Sequence, residues 1–314
     1  MKEIFIGYNN TLNERERDSS GGIYSSIANL VLSSGGVIYA AVYNQDLMVE
    51  HKRITSLHDL HESLGSKYVT SSLGDTFKLI KTDLLNGKTI LFVGTPCQCA
   101  GLRAFIGDQE RLYLVDFVCH GVPGKAAWKY YLNSFKADEK VISEVNMRDK
   151  TNGWNNYGWK FVYSNGMEQF KERDSISFYI GFVNNLYLRP SCYSCHFKGL
   201  NRITDITLGD AWGVDGYYKD AYNKKGTSLI MVHSQKGKEL IEQCDLSLFD
   251  ASMYIDAIIR NNGCIVQSVS YNKKEEQFYE MMKQGVSFDR IISKLTKENI
   301  LDKVLRKIRK NASL

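Results

Sequence analysis

Four of the seven cysteines stand where thiolate chemistry is possible. Cys192 and Cys195 form a C-x-x-C in "LRPSCYSCHFKG", a spacing that lets two thiolates hold one face of a metal ion or cluster. A tetrahedral site needs two more ligands. Cys97 in "FVGTPCQ" and Cys119 in "VDFVCHG" each follow a short apolar run of the kind found in buried parallel strands, at the mouth of an expected helix. They lie 22 residues apart, the length of about one βαβ unit. If the two strands are neighbours, their carboxyl ends lie about 5 Å to 10 Å apart, on the edge where open α/β sheets bind ligands. Helix N-termini at that edge favour anions and so hold thiolates. Four thiolates suit Zn and an iron–sulfur cluster equally well, and spacing does not choose between them.

The other cysteines read differently. Cys99 is two residues past Cys97 on the same helix and points away from it, into the core or behind the site. Cys244 and Cys264 read as small apolar core residues. An odd cysteine count with no export signal in "MKEIFIGYNN" points to a reducing, cytoplasmic setting and to ligand chemistry rather than disulfides. No window is apolar for long enough to form a transmembrane segment.

Polar motifs surround the same expected edge. "SSGG" at 19–22 opens a helix with Ser19 or Ser20 as its cap, and the amides there could cradle a phosphate. "GSKY" places Lys67 beside an aromatic ring, and "DITLGDAWG" ends a strand with Asp210 and Trp212. "GVPGK" at 121–125 lacks the spacing and the Ser/Thr of a P-loop. His120 directly follows Cys119 and is thereby expected near the proposed thiolate site, where a bound group would meet it, whereas His51, His58 and His61 read as surface residues.

The elements that must position these residues are legible as an α/β pattern. The spacing predicts a helix over 19–36, a strand at 37–43, a helix at 75–88, strands at 89–94 and 112–118, and a helix at 124–135. Strand, helix, strand in this rhythm implies βαβ units with right-handed crossovers. Beyond about 141 the texture becomes β-rich, with a hairpin signal at Asn165-Gly166, strands in "DITLGD" and "SLIMVHS" and a helix in "GKELIEQC". The expectation is a mixed sheet with βαβ units in an N-terminal α/β half (1–140) and a β-rich α+β half (141–286) carrying the C-x-x-C. A basic C-terminal helix (287–314) follows. Residues 290–310 hold eight basic residues against Glu298 and Asp302, so most of the net charge of +5 sits there. Phe288, Ile291, Leu295, Leu301, Val304, Leu305 and Ile308 recur at helical spacing, which favours a helix packed on the body with a solvated basic face. No nucleic-acid partner is expected.

Taken together, "SSGGIYS", "GSKYV", "LFVGTPCQ", "VDFVCHGVP", "LRPSCYSCHFKG", "DITLGDAWG" and "KGTSLIMVHSQKG" resemble the beta-subunit family of coenzyme F-420 hydrogenases and dehydrogenases. The motifs run in family order from about residue 19 to 240. The resemblance implies an oxidoreductase that binds FAD beside one 4Fe–4S cluster and passes electrons between a hydride-carrying coenzyme and iron–sulfur partners. It implies Cys97, Cys119, Cys192 and Cys195 as cluster ligands, with Ser20, Gly21, Gly22, Lys67, Thr95 and Asp210 around the flavin. No C-x-x-C-x-x-C run precedes Cys97, so the electrons are expected to cross to a separate ferredoxin-like or iron–sulfur protein. The alternative is a non-catalytic relay or accessory protein with a structural Zn or cluster, linked to surface-polysaccharide synthesis.

Overall fold

The computed structural model describes residues 3–136 and 141–297. Five strands come first: β1 (Glu3–Asn9), β2 (Val37–Tyr43), β3 (Val49–Ile54), β4 (Ile90–Val93) and β5 (Leu112–Phe117). A hairpin region follows as β6 (Ile142–Asp149), β7 (Gly158–Tyr163) and β8 (Glu168–Glu172), and then β9 (Ile206–Asp210), β10 (Ser228–Val232) and β11 (Leu246–Asp250). One sheet has eight strands in the order β11-β1-β10-β9-β5-β4-β2-β3, and β6-β7-β8 form a second. In the large sheet β2, β4, β5 and β9 run parallel, while β3, β10, β1 and β11 join through antiparallel pairings.

The apolar runs are continuous because both faces of this sheet are covered. Side chains alternate along each strand, so Ile38, Ala40, Val42, Leu91 and Val115 meet the helix Ile23–Ser33 through Ile23, Ile27 and Val31. Their neighbours Val37, Tyr39, Ile90, Phe92, Leu112 and Leu114 point the other way. There they pack on Ile80 of the helix Thr76–Leu85 and on Cys99 and Leu102 of the helix Pro96–Ile106. The division expected near residue 140 is not a break in this sheet, which draws strands from both sides of that position.

The small sheet is the β-rich element that the sequence signals, with the turn at Asn165-Gly166, where Gly166 takes φ 80°. Its inner face supplies Ile142, Val145, Trp159 and Phe161 to an aromatic core with Trp128, Phe178, Phe278 and Phe288. Trp128 and Phe178 meet edge-on with ring centroids 5.0 Å apart. The helix Phe288–Thr296 closes this core with Phe288, Ile291, Ile292 and Leu295. That is the packed arrangement expected for the start of the tail; Leu301, Val304, Leu305 and Ile308 lie outside the described residues.

The helix expected from residue 19 starts at Ile23 instead, with Gly22 at φ 82° as its cap position. Neither Ser19 nor Ser20 caps it, because "SSGG" is held elsewhere. The Ser20 Oγ donates to Thr227 O at 2.8 Å, and the Gly21 amide donates to Ser228 Oγ at 2.9 Å.

Replacing Phe288 with Ala should lower the unfolding free energy by about 3–5 kcal/mol, the cost of an emptied aromatic core position. The exposed Lys294→Ala on the same helix should stay within about 0.5 kcal/mol of the parent. Urea titration followed by tryptophan fluorescence measures both.

Candidate active site at the carboxyl edge of the sheet

The strands β4 and β5 are parallel neighbours, with Val93 opposite Val115. Cys97 and Cys119 therefore each stand four residues beyond a matched pair, on one sheet edge. Cys97 is in the first turn of the helix Pro96–Ile106, which Pro96 opens with its φ already set. The preceding Thr95 receives the Gln98 side chain on its amide at 2.9 Å, and its hydroxyl lies 3.2 Å from Cys97 Sγ.

The segment after the turn Pro190–Cys192 folds back to this edge. A Cβ on Gly121 would stand 3.3 Å from Cys192 Cβ, so the absence of a side chain there lets the two loops touch. The Val122 amide points at Cys192 Sγ at 3.5 Å. The Cys195 amide donates to Ser268 Oγ at 2.9 Å. Burial pushes the Cys119 thiol up to about 12; Lys198 opposes this, and the nearby Cys192, Cys97 and Cys195 thiols add to it. Lys198 ties the loops together by donating to the carbonyls of Cys119 and Cys264. Among the described residues, no three His, Cys, Asp or Glu side chains are close enough to share one metal ion.

Beside the thiols lies a cavity of about 1030 Å³. Ser20, Gly22, Lys67, Thr95, Cys97, Cys119, His120 and Asp210 all line it. Gly21 does not. A Cβ on Gly21 would come within 2.6 Å of Gly7 O and 2.9 Å of Ser228 N, so this glycine lets the loop close on β1 and β10. With its amide already given to Ser228, Gly21 cannot offer that N–H to a phosphate, contrary to the cradle expected from the motif.

Lys67 is oriented by three carbonyls, those of Ser63 at 3.3 Å and of Leu64 and Gly65 at 3.2 Å. Burial lowers its pKa to about 7, with Asp18 opposing. Asp210 faces Arg148 of β6 in a bidentate pair at 2.7 Å and 3.2 Å and accepts the Trp154 indole N–H at 2.8 Å. Its carboxylate is therefore a holder of Arg148. Burial works against the Arg148 charge, yet Asp210 keeps its pKa well above the usual value. The guanidinium stacks 4.0 Å from the Tyr157 ring centroid and donates to Ser19 O at 2.6 Å. Sequence reasoning missed Arg148, whose partner Asp210 lies 62 residues away in the chain.

Two other readings are corrected. His51 is not a surface residue: it lines the cavity, stacks on Phe92 with centroids 5.1 Å apart, and contacts Ser71 Oγ at 2.7 Å and Val93 O at 3.0 Å. Burial lowers its pKa to about 4, which keeps it neutral. Cys264 is not core filling, because the turn Gly263–Ile265 brings it to the cavity 3.6 Å from His120 Nδ1. His120 also contacts Asn185 Oδ1 at 2.7 Å through Nε2. Cys99 is fully buried in the core beneath the site.

Residues 87–249 match the family model that describes the C terminus of the coenzyme F420 hydrogenase/dehydrogenase beta subunit. No curated protein matches the chain. Among solved structures it is similar to a chain of the F420-reducing NiFe hydrogenase complex from Methanosarcina barkeri, studied as a xenon derivative. The TM-score is 0.56 at 12% identity, over 90% of this chain and 93% of that one. At that identity the likeness is one of fold.

Arg148→Met should cost about 3–5 kcal/mol, because Asp210 would be left partly buried without its partner. The double variant Arg148→Met/Asp210→Asn should recover part of that loss in a thermodynamic cycle. Gly21→Val should lower stability by at least the ~1–3 kcal/mol of an overpacked position. Denaturant titration would show all three.

Proposed function

The chain belongs to the coenzyme F420 hydrogenase/dehydrogenase beta-subunit family, and from that premise we propose an oxidoreductase that uses FAD and one 4Fe–4S cluster. It would pass electrons between a hydride-carrying coenzyme and a separate iron–sulfur protein. The family supports oxidoreductase chemistry in general; the cofactors, the site residues and the partner are our reading.

What supports the reading is that Cys97 and Cys119 follow paired strands on one sheet edge and that Cys192 lies against the loop of Gly121 and Val122 beside Cys119. Cys97, Cys119, Cys192 and Cys195 are the proposed ligands. The Val122 amide aimed at Cys192 Sγ is the kind of contact that tunes a cluster potential. Cys97 in the first turn of its helix gains from the dipole as a thiolate.

The adjoining cavity, about 1030 Å³, is at the upper end of the range for cofactor pockets. A flavin supplies the conversion of a hydride into single electrons, which a cluster carries one at a time. Around it Lys67 and Arg148 offer positive charge, Lys67 poised to gain or lose a proton near neutrality and Arg148 fixed by Asp210. Thr95 holds the helix start beside Cys97, His120 and Cys264 form one wall, and Ser20 and Gly22 another. Among the described residues no helix is long and apolar enough to cross a membrane, which is compatible with the cytoplasmic setting we propose.

Anaerobic purification should yield flavin together with iron and sulfide in the proportion of one cubane cluster. Serine at Cys97, Cys119, Cys192 or Cys195 should strip the iron, while Cys244→Ser should retain it. Metal analysis and the visible spectrum decide the matter: zinc with neither flavin nor iron would overturn the reading in favour of a structural site.

A further inference from the structure

His51 stands on β3 and reaches the cavity between two polar atoms. Its Nε2 is 3.0 Å from Val93 O at the end of β4, and its Nδ1 is 2.7 Å from Ser71 Oγ. A carbonyl only accepts, so in the neutral ring Nε2 carries the proton and donates to Val93. The other tautomer would set two lone pairs against each other at that distance. Nδ1 is then bare, and the Ser71 hydroxyl donates to it. Its one hydrogen is thereby spent. Toward anything bound in the cavity it lines, Ser71 Oγ can only accept.

The row is held from both ends. The segment of Ser71 and Ser72 runs along β3: the His51 amide donates to Ser72 O and the Ser72 amide to Val49 O, both at 2.9 Å. The imidazole lies nearly parallel on Phe92, at 16°. Burial keeps the ring neutral, opposed by the Val93 bond and aided by the charge of Lys67. Backbone pairing and a stacked ring thus fix which way the Ser71 hydrogen points before any ligand arrives.

We propose that Ser71 is a specificity-determining acceptor that takes the N–H of an imide ring edge bound in the cavity. The inference rests on the reading above for its ligand. A flavin and a deazaflavin share one such edge, in which an N–H stands between two carbonyls. The N–H meets Ser71 Oγ, and the Lys67 charge that His51 feels suits a flanking carbonyl. A ring that brought an acceptor or an alkyl group to the same place would leave Ser71 Oγ without a donor, and a site built around a hydrogen bond rejects such an analogue. His51 acts through Ser71 and is a positioning residue.

Two measurements on the full-length protein test the assignment. Long-range nitrogen–proton NMR at neutral pH, with the signal assigned by its loss in His51→Gln, should show the His51 proton on Nε2. Binding is followed by fluorescence after the native flavin is washed out. The probes are FAD and 8-hydroxy-5-deazaflavin, each with and without a methyl group on the imide nitrogen. Ser71→Ala should weaken one of the two imide rings about threefold to tenfold, the share of a single hydrogen bond. Its N-methyl counterpart should bind as before. Ser71→Thr, which keeps the hydroxyl, should restore the preference for the imide. A loss confined to FAD places Ser71 on the resident flavin, and one confined to the deazaflavin places it on the hydride carrier; both support the acceptor. If Ser71→Ala only disturbed packing, both members of a pair would weaken equally, and that result would overturn the proposal. A proton on Nδ1 would overturn it too. Binding of neither ring would overturn the oxidoreductase reading and the imide ligand with it, while the NMR signal would still decide the direction of the Ser71 hydrogen.

Discussion

The cavity depends on one ion pair, Arg148 with Asp210. The small sheet builds its core with helices around Trp128 and Phe178. Arg148 is where β6 reaches the end of β9, and a single guanidinium there touches Asp210, Ser19 O, the Tyr68 hydroxyl and the Tyr157 ring. Removing two charges from water is costly. The bidentate geometry, the Trp154 N–H on the same carboxylate and the flanking rings offset that cost, because each polar atom they satisfy would otherwise be stranded. The pair thus acts as a register pin between the two sheets.

Everything else at the site follows from parallel strand geometry. β4, β5 and β9 end side by side, and β1, antiparallel to β10 and so aligned with β9, ends at the same edge. Polar side chains gather there because the backbone amides and carbonyls that leave the ladder need partners. Ser20, Gly21 and Ser228 serve that need, which explains why a glycine-rich loop can be structural at its centre while its two ends line the cavity.

How much of this was legible in the sequence depended on how local each signal was. The strands 37–43, 90–93 and 112–117 and the C-x-x-C announce themselves through residues next to each other, and the inference that Cys97 and Cys119 share an edge needed only that two consecutive strands pair. β1, β3 and β11 went unread. β1 and β11 find their partners some 200 residues away or more, and no local pattern states that pairing. The placements of His51, Cys264 and Arg148 were hidden for the same reason: each owes its environment to a segment remote in sequence, Ser71 and Val93 for the first, His120 for the second and Asp210 for the third. The helix start failed for a different cause, since Ser19 and Ser20 have the side chains of caps but spend their bonds elsewhere.

The position of β1 carries a consequence for how the molecule comes into being. β1 sits between β10 and β11, so its neighbours in the sheet are made more than 200 residues after it. β1 waits as an unpaired apolar segment until β10 and β11 are made, and closing the sheet requires the slow, non-local step that such topologies impose. β2 to β5 can assemble beforehand as a local unit that already carries Cys97 and Cys119. Assembly is thus staged: Cys97 and Cys119 are presented early, and the walls around them close only once β10 and β11 have been made.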